Sequence, residues 1–413
     1  MTTENKSTIG VFFGSRSPEH DVSIITACQT IKGLREIGFS VVPIYVTKDG
    51  RMFLGPDTDD ATDETLARVD YFRDDLDKKL AKLDEYDLVL AESVGRLRFV
   101  TEMMFASKFV DVDIAFPTFH GPHGEDGALH GLFDLANIPV VGCGQQASSI
   151  AMDKALTKLI YRQFDIPTTN FLYFTRREWS QYQEAILEDL KNFSLPLFVK
   201  PARAGSSIGI TRVTDIEELS FAIEVALSYD TKVVVEEGVE DVADLTVCLL
   251  GDEVPEPSEV QESHFDSDFF SYDDKYINDG GAQIGGADKK IIIPADVDQS
   301  VQDEAKQMAV NIFAQFELSG IARVDFLYDR AEEKLYANEI NTLPGTLYKH
   351  LWEESGVTFA ELLRSLIRTA RRRHSRKQDT SYTFESGILE HAGKGKLSKL
   401  AADDDRDQLN ASN

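Results

Sequence analysis

The sequence has 413 residues, 42% hydrophobic and 28% charged, which is enough for two or three domains with cores of their own. Its 43 Lys and Arg against 71 Asp and Glu leave a net charge of −28. That offers no field to attract nucleic acid or anionic lipid, although a small anion can be held where basic residues converge. Three widely spaced cysteines, Cys28, Cys143 and Cys248, lack CxxC spacing and read as buried, reduced thiols of a cytosolic protein.

The first apolar run, in "TIGVFFGS", is too short for a signal peptide or a membrane span and reads as a buried strand ending in glycine. "SPEHDVSIITACQTIKGLREIGF" reads as a helix, with Ile24, Cys28, Ile31 and Leu34 at helical spacing and Gly38 closing it. "SVVPIYV" is the next strand, so a βαβ unit and a parallel sheet open the chain. Residues 55 to 85 are acidic and polar and read as a surface excursion. "VDIAFPTF" is a further buried strand that runs into "HGPHGEDG", a tight Gly/Pro loop opened by His120.

From about residue 150 the pattern changes. "AMDKALTKLIYRQFDI" reads as a helix, "LPLFVKPARAGSSIGITRV" as strand, Gly/Ser loop and strand, and "KVVVEEGV" and "DLTVCLL" as strands. "GIARVDFLYD" and "KLYANEIN", separated by "RAEE", read as a hairpin. "TFAELLRSLIRTARRRHS" is a late helix with a basic end, as suits a helix C-terminus. Residues 392 to 413 are polar and acidic and are expected to be disordered.

Four segments carry chemistry. Alternation along a strand puts Glu339 and Asn341 on one face, and Arg323 and Asp325 share a face of the partner strand. Pairing collects Asp325, Glu339 and Asn341 either as oxygen ligands for Mg²⁺ or as a solvated hairpin face. In "KPARAGSSIG" the loop amides can form an anion nest beside Lys200 and Arg203, with Lys154 as a second ammonium. A flexible hairpin tip is the plainer alternative, since neither a Walker A nor a GxGxxG pattern is present. In "PEHDVS", Glu19 stands at the C-terminal edge of the parallel sheet, either as a ligand group or as an acidic residue of a helix start. "DFFSYDDKYINDGG" is a lid or a packed aromatic loop, with Lys275 and Tyr276 as its working residues.

Together, "EHDVS", "HGPHGEDG", "AMDKALTK", "FVKPARAGSSIG", "YDDKY", "RVDF" and "NEINTLPG" resemble, in order, the motifs of the D-alanine–D-alanine ligase family of the ATP-grasp superfamily, over roughly residues 8 to 370. The resemblance implies an α/β protein: a Rossmann-like N-terminal domain (1–120), a two-lobed ATP-grasp domain (121–375, lobes 121–235 and 236–375) and a C-terminal extension (376–413). It implies a cytoplasmic homodimer that acts on ATP and small D-amino acids. Asp325, Glu339 and Asn341 would hold Mg²⁺, two ions in the family, with Mn²⁺ as a substitute. Lys154, Lys200 and Lys275 would meet the phosphates, Glu236 and Glu237 the adenine, and Asp244 the ribose. Glu19, with Ser206 and Tyr276, would hold the first amino acid's ammonium. Arg323 and the Gly345 N–H would stabilise an oxyanion, and His120 is a further substrate-side residue.

Two departures stand out. Glu237 occupies a position where the family often has lysine. The stretch after Pro344-Gly345 is short, "TLYKHLW", without the serine that binds the second carboxylate in the family. Lys349, or else Thr346 or His350, is expected to take that role, in a pocket open to a bulkier second substrate. Alternatives are an ATP-grasp ligase for another carboxylate–amine pair, a depsipeptide ligase, against which Lys275-Tyr276 argues, and a non-catalytic nucleotide-binding protein.

Overall fold

The structure, a computed structural model, describes residues 7–56, 66–103, 106–264 and 291–386, with Ile388. The expected lid segment, with Lys275 and Tyr276, and the acidic tail lie outside the described residues. The first sheet has seven strands, β1 (Thr8–Gly14), β2 (Ser40–Val46), β3 (Met52–Leu54), β4 (Glu85–Leu88), β5 (Leu97–Met103), β6 (Ala106–Val112) and β7 (Ile114–Pro117), in the order β6-β5-β4-β3-β2-β1-β7. β2, β1 and β7 are parallel, as the opening βαβ unit requires, and β3 to β6 extend the sheet antiparallel. That extension was not foreseen. Nor is the acidic stretch wholly superficial, because Leu66, Tyr71 and Leu80 are buried in the core. The helix His20–Glu36 packs on the parallel strands through Ile24, Ala27, Cys28, Ile31 and Leu34. The same core takes in Leu351 and Trp352, and also Leu362, Leu363, Leu366 and Ile367 of the last helix, Phe359–Gln378.

The second sheet is antiparallel, of β8 (Phe171–Thr175), β9 (Leu197–Pro201), β10 (Thr211–Val213) and β11 (Lys232–Glu237), in the order β10-β9-β11-β8. The third contains β12 (Val242–Gly251), β13 (Glu256–Pro257), β14 (Gln261–Ser263), β15 (Ile291–Ile292), β16 (Gly320–Asp329) and β17 (Lys334–Asn341). Its order is β15-β14-β12-β16-β17, with β13 beside β12. β16 and β17 form the expected hairpin, with a register shift after Asp325. Ala305, Ala309, Ile312 and Phe313 of the helix Gln299–Gln315 join the core beneath this sheet. The helix expected over 151–166 is interrupted: Asp153 caps a separate helix, Lys154–Gln163, by accepting from the N–H groups of Ala155 and Leu156. Among the described residues no helix is long and apolar enough to cross a membrane.

Candidate active site

Hairpin register sets the first cluster. Arg323 pairs with Asn341 and Asp325 with Glu339 across β16 and β17, and Thr246 of β12 lies opposite Asp325. Asp325 accepts from Arg323 Nε (2.8 Å) and Nη2 (2.7 Å), Thr246 Oγ1 (2.9 Å) and Asn341 Nδ2 (3.0 Å). Burial would lower the Arg323 guanidinium's pKa, but the facing Asp325 outweighs it and keeps the group charged. With Nε and Nη2 engaged by Asp325, Nη1 is the edge of the guanidinium left to the site.

Lys154 reaches the same cluster because Asp153 fixes the start of its helix. Its Nζ donates to the Ala204 carbonyl (2.9 Å) and stands 3.4 Å from Glu339 Oε2. Lys200, on β9, stands 3.1 Å from Glu236 Oε2 on β11. The sequence reading missed a third ammonium, Lys158, one turn after Lys154. It is 1% exposed, lies 3.3 Å from the same Glu236 oxygen, and donates to Thr168 and Thr169. Burial draws Lys158 down to about 8 against the pull of Glu236. Burial would raise Glu236, but Lys158 and Lys200 together hold it below its ordinary value. Glu236 Oε1 is buried and has no hydrogen-bond partner among the described residues. It is an acceptor at the wall of a cleft of about 580 Å³ between the second and third sheets. Glu237 and Asp244 line the same cleft, and Glu237 Oε1 also accepts from the Ser194 N–H (2.8 Å).

Beside this cleft is a cavity of about 30 Å³, room for about one water, lined by Glu19, Glu125, Lys154, Arg323 and Glu339 among others. Ser206, left-handed at the tip of the Gly/Ser loop, donates to Glu19 Oε1, joining residues 187 apart. On the other side, Ser17 Oγ accepts from the Glu19 N–H (3.1 Å) and donates to the His120 carbonyl (2.7 Å). Gly121 (φ +69°) comes so close that a Cβ there would stand 2.2 Å from Glu19 Oε2, which is why "HGPHG" needs glycine at this point. Glu125, also missed from sequence, accepts from the Gly121 N–H (2.8 Å). Burial, then the charge of Glu19, pushes its carboxyl up to about 8.

His120 lies behind the cavity. Thr26 Oγ1 accepts from the Thr346 N–H (3.0 Å), so its own hydroxyl can donate to His120 Nε2 (2.9 Å), a pattern that suits the neutral ring. Burial pulls His120 down to about 4. The turn that follows Gly345 is unusual: Thr346, Leu347 and Tyr348 are buried and all left-handed, at φ 50°, 55° and 49°. Each non-glycine residue so held costs about 1–2 kcal/mol. Lys349 does not line either cavity. It pairs with Glu353 (3.5 Å) and lies over the Phe359 ring (5.3 Å). His350 bonds Gln261 Oε1 (2.7 Å), and Thr346 Oγ1 donates to the Gly345 carbonyl (2.8 Å). None of the three residues expected at the second carboxylate lines the small cavity beside Glu19.

Two antiparallel lobes closing on a cleft of lysines and facing carboxylates, completed by an N-terminal sheet edge, define an ATP-grasp enzyme. Residues 8–143 match the family model of the D-ala D-ala ligase N-terminus and residues 160–368 that of the C-terminus. The chain is 34% identical over 383 residues to a D-alanine–D-alanine ligase of Thermosipho africanus (strain TCF52B), covering 92% of this chain and 98% of that one. It is 36% identical over 380 residues to one from Acetivibrio thermocellus, covering 90% and 97%. Among solved structures, the D-alanine–D-alanine ligase of Coxiella burnetii superposes with a TM-score of 0.74 at 27% identity, covering 91% of this chain and 97% of its own. The VanG D-Ala:D-Ser ligase of Enterococcus faecalis gives 0.73 at 30%, covering 88% and 99%. The chain belongs to the D-alanine–D-alanine ligase family, ATP-dependent ligases that make a peptide bond.

Proposed function

We propose that the protein joins two D-alanine molecules at the expense of ATP, through an acyl phosphate, as a cytoplasmic homodimer supplying peptidoglycan precursors. The observation that carries the reading is the Ser206–Glu19 bond beside Arg323 and Glu339, since it supports one pocket for an amino acid's ammonium and a reacting carboxylate together. Glu19, oriented by Ser206, takes the ammonium of the first D-alanine. Lys154, Lys200 and the amides of the Gly205–Gly209 loop cradle the ATP phosphates. Glu236 Oε1 accepts from the exocyclic amine of adenine, which guanine lacks at that position. Glu237 lies along the base and Asp244 meets the ribose.

Asp325, Glu339 and Asn341 would hold Mg²⁺. Facing carboxylates and an amide oxygen are the few hard donors that suit the ion when phosphates and water complete its shell, and Asp325 would exchange one of its present donors for it. The bound ion neutralises phosphate charge. The first D-alanine's carboxylate attacks the γ-phosphorus, and the bond to ADP breaks. The amine of the second D-alanine then attacks the acyl carbon. The C–N bond forms, the amine loses a proton, and phosphate leaves. Arg323 Nη1 and the Gly345 N–H meet the oxyanion of that step.

The test is incubation with ATP, Mg²⁺ and D-alanine, with phosphate and product mass measured, alongside a panel of second substrates that includes D-serine and D-lactate. D-alanyl-D-alanine formed in step with phosphate is expected. Phosphate release only with another pair, or none with any pair, would overturn the reading.

A further inference from the structure

The short turn after Gly345 does more than bypass a missing loop. Its three left-handed residues deliver the Tyr348 ring, 2% exposed, onto the guanidinium of Arg323, whose Cζ lies 5.0 Å from the ring centroid. Behind Tyr348 the His350 ring stands 4.8 Å away, held by Gln261 of β14. In front, Tyr348 lines the large cleft. The guanidinium is thus fixed in two directions. Asp325 holds its edge through Nε and Nη2, and Tyr348 covers one face. An aromatic face attracts a cation, and most strongly away from water, where both groups lie. Runs of left-handed non-glycine residues persist only where surrounding contacts over-determine them, and they cluster at working sites. The tie from Thr346 N–H to Thr26, on the helix His20–Glu36, is one such contact.

We infer that Tyr348 is a positioning residue for the reaction: its ring clamps the Arg323 guanidinium so that Nη1 faces the developing oxyanion. This rests on the reading of Arg323 given above. The ring matters and the hydroxyl does not, so Tyr348→Phe should stay within about twofold of wild type. Tyr348→Leu, which keeps apolar bulk and loses the ring, should lower kcat about thirtyfold, the equivalent of about 2 kcal/mol. KM for ATP and for D-alanine should be unchanged, because the guanidinium's orientation counts only as the oxyanion forms. Trapping with hydroxylamine, which attacks the acyl carbon and releases phosphate, should still yield the D-alanine hydroxamate. If the leucine variant does not fold by its thermal transition, Tyr348→Met takes its place. A ringless variant with wild-type kcat, a phenylalanine variant as slow as the ringless one, or a rise in KM without a fall in kcat would each overturn the inference. Arg323→Ala separates the two levels. If it is inactive while Tyr348→Leu is normal, only the clamp fails; if it keeps wild-type kcat, the role of Arg323 fails and the clamp with it.

Discussion

Glu125→Gln removes one titrating group from the small cavity and leaves its shape alone, since the amide oxygen can still accept from the Gly121 N–H. In the folded protein burial and the neighbouring Glu19 hold the Glu125 carboxyl near 8, against 4.5 for the free group. Between those values the folded chain keeps a proton that the unfolded chain has released. The folded state therefore binds more protons, and stability falls as pH rises from about 4.5 to about 8. The full linkage is 3.5 pH units at about 1.36 kcal/mol each, an upper bound of about 5 kcal/mol. Glu125 is only half-buried and water can enter the cavity, so about 2 kcal/mol is the expected share. Glutamine does not titrate, so its advantage over wild type should grow by about 2 kcal/mol between pH 5 and pH 8. Urea denaturation of both proteins at the two pH values, without ligands, measures it. A difference that stays constant with pH would refute the argument, whatever its size.

Gly121→Ala should destabilise the fold by about 2–4 kcal/mol, from the left-handed backbone and the overlap with Glu19, and should raise KM for the first amino acid; urea titration and initial rates check both. Glu339→Gln should lower turnover about 100-fold or more and weaken Mg²⁺ binding in calorimetry with a non-hydrolysable ATP analogue. Losing the Lys154 contact should cost only about 1 kcal/mol of stability. Lys349→Met should leave KM for the second amino acid unchanged and cost at most about 0.5 kcal/mol, because its ammonium pairs with Glu353 along one helix; a tenfold rise in that constant would put the ammonium in the pocket after all.

The parts of the site that rest on strand alternation were legible in the sequence. Asp325, Glu339 and Asn341 follow from the two-residue period and a four-residue connection, and the hairpin formed at that length. Lys154 was visible, yet Lys158 was not: a lysine one turn along a helix reads as solvent-facing until the second sheet covers it. Glu125 sat in plain view in "HGPHGEDG", but its raised pKa comes first from burial in the folded chain and then from Glu19, more than a hundred residues away. For Lys349, spacing after Pro344-Gly345 says nothing about three successive left-handed residues, and the structure stands its ammonium beside Glu353 of its own helix and over the Phe359 ring, outside the lining of either cavity. The antiparallel strands β3 to β6 were hidden by the acidic composition around them.

The core under the first sheet is filled in part by Leu362, Leu363, Leu366 and Ile367, more than 200 residues beyond the last strand of that sheet. During synthesis, the apolar face of the helix His20–Glu36 therefore emerges long before its cover exists. The N-terminal sheet cannot mature as a separate unit while the rest of the chain is still being made, because its packing waits for nearly the whole polypeptide. Completion of the fold and assembly of the Glu19 pocket become one late event, governed by contacts of long sequence separation. A chain cut short anywhere before the last helix would then lose more than that helix, leaving an apolar face beside the first sheet open to water and to other chains.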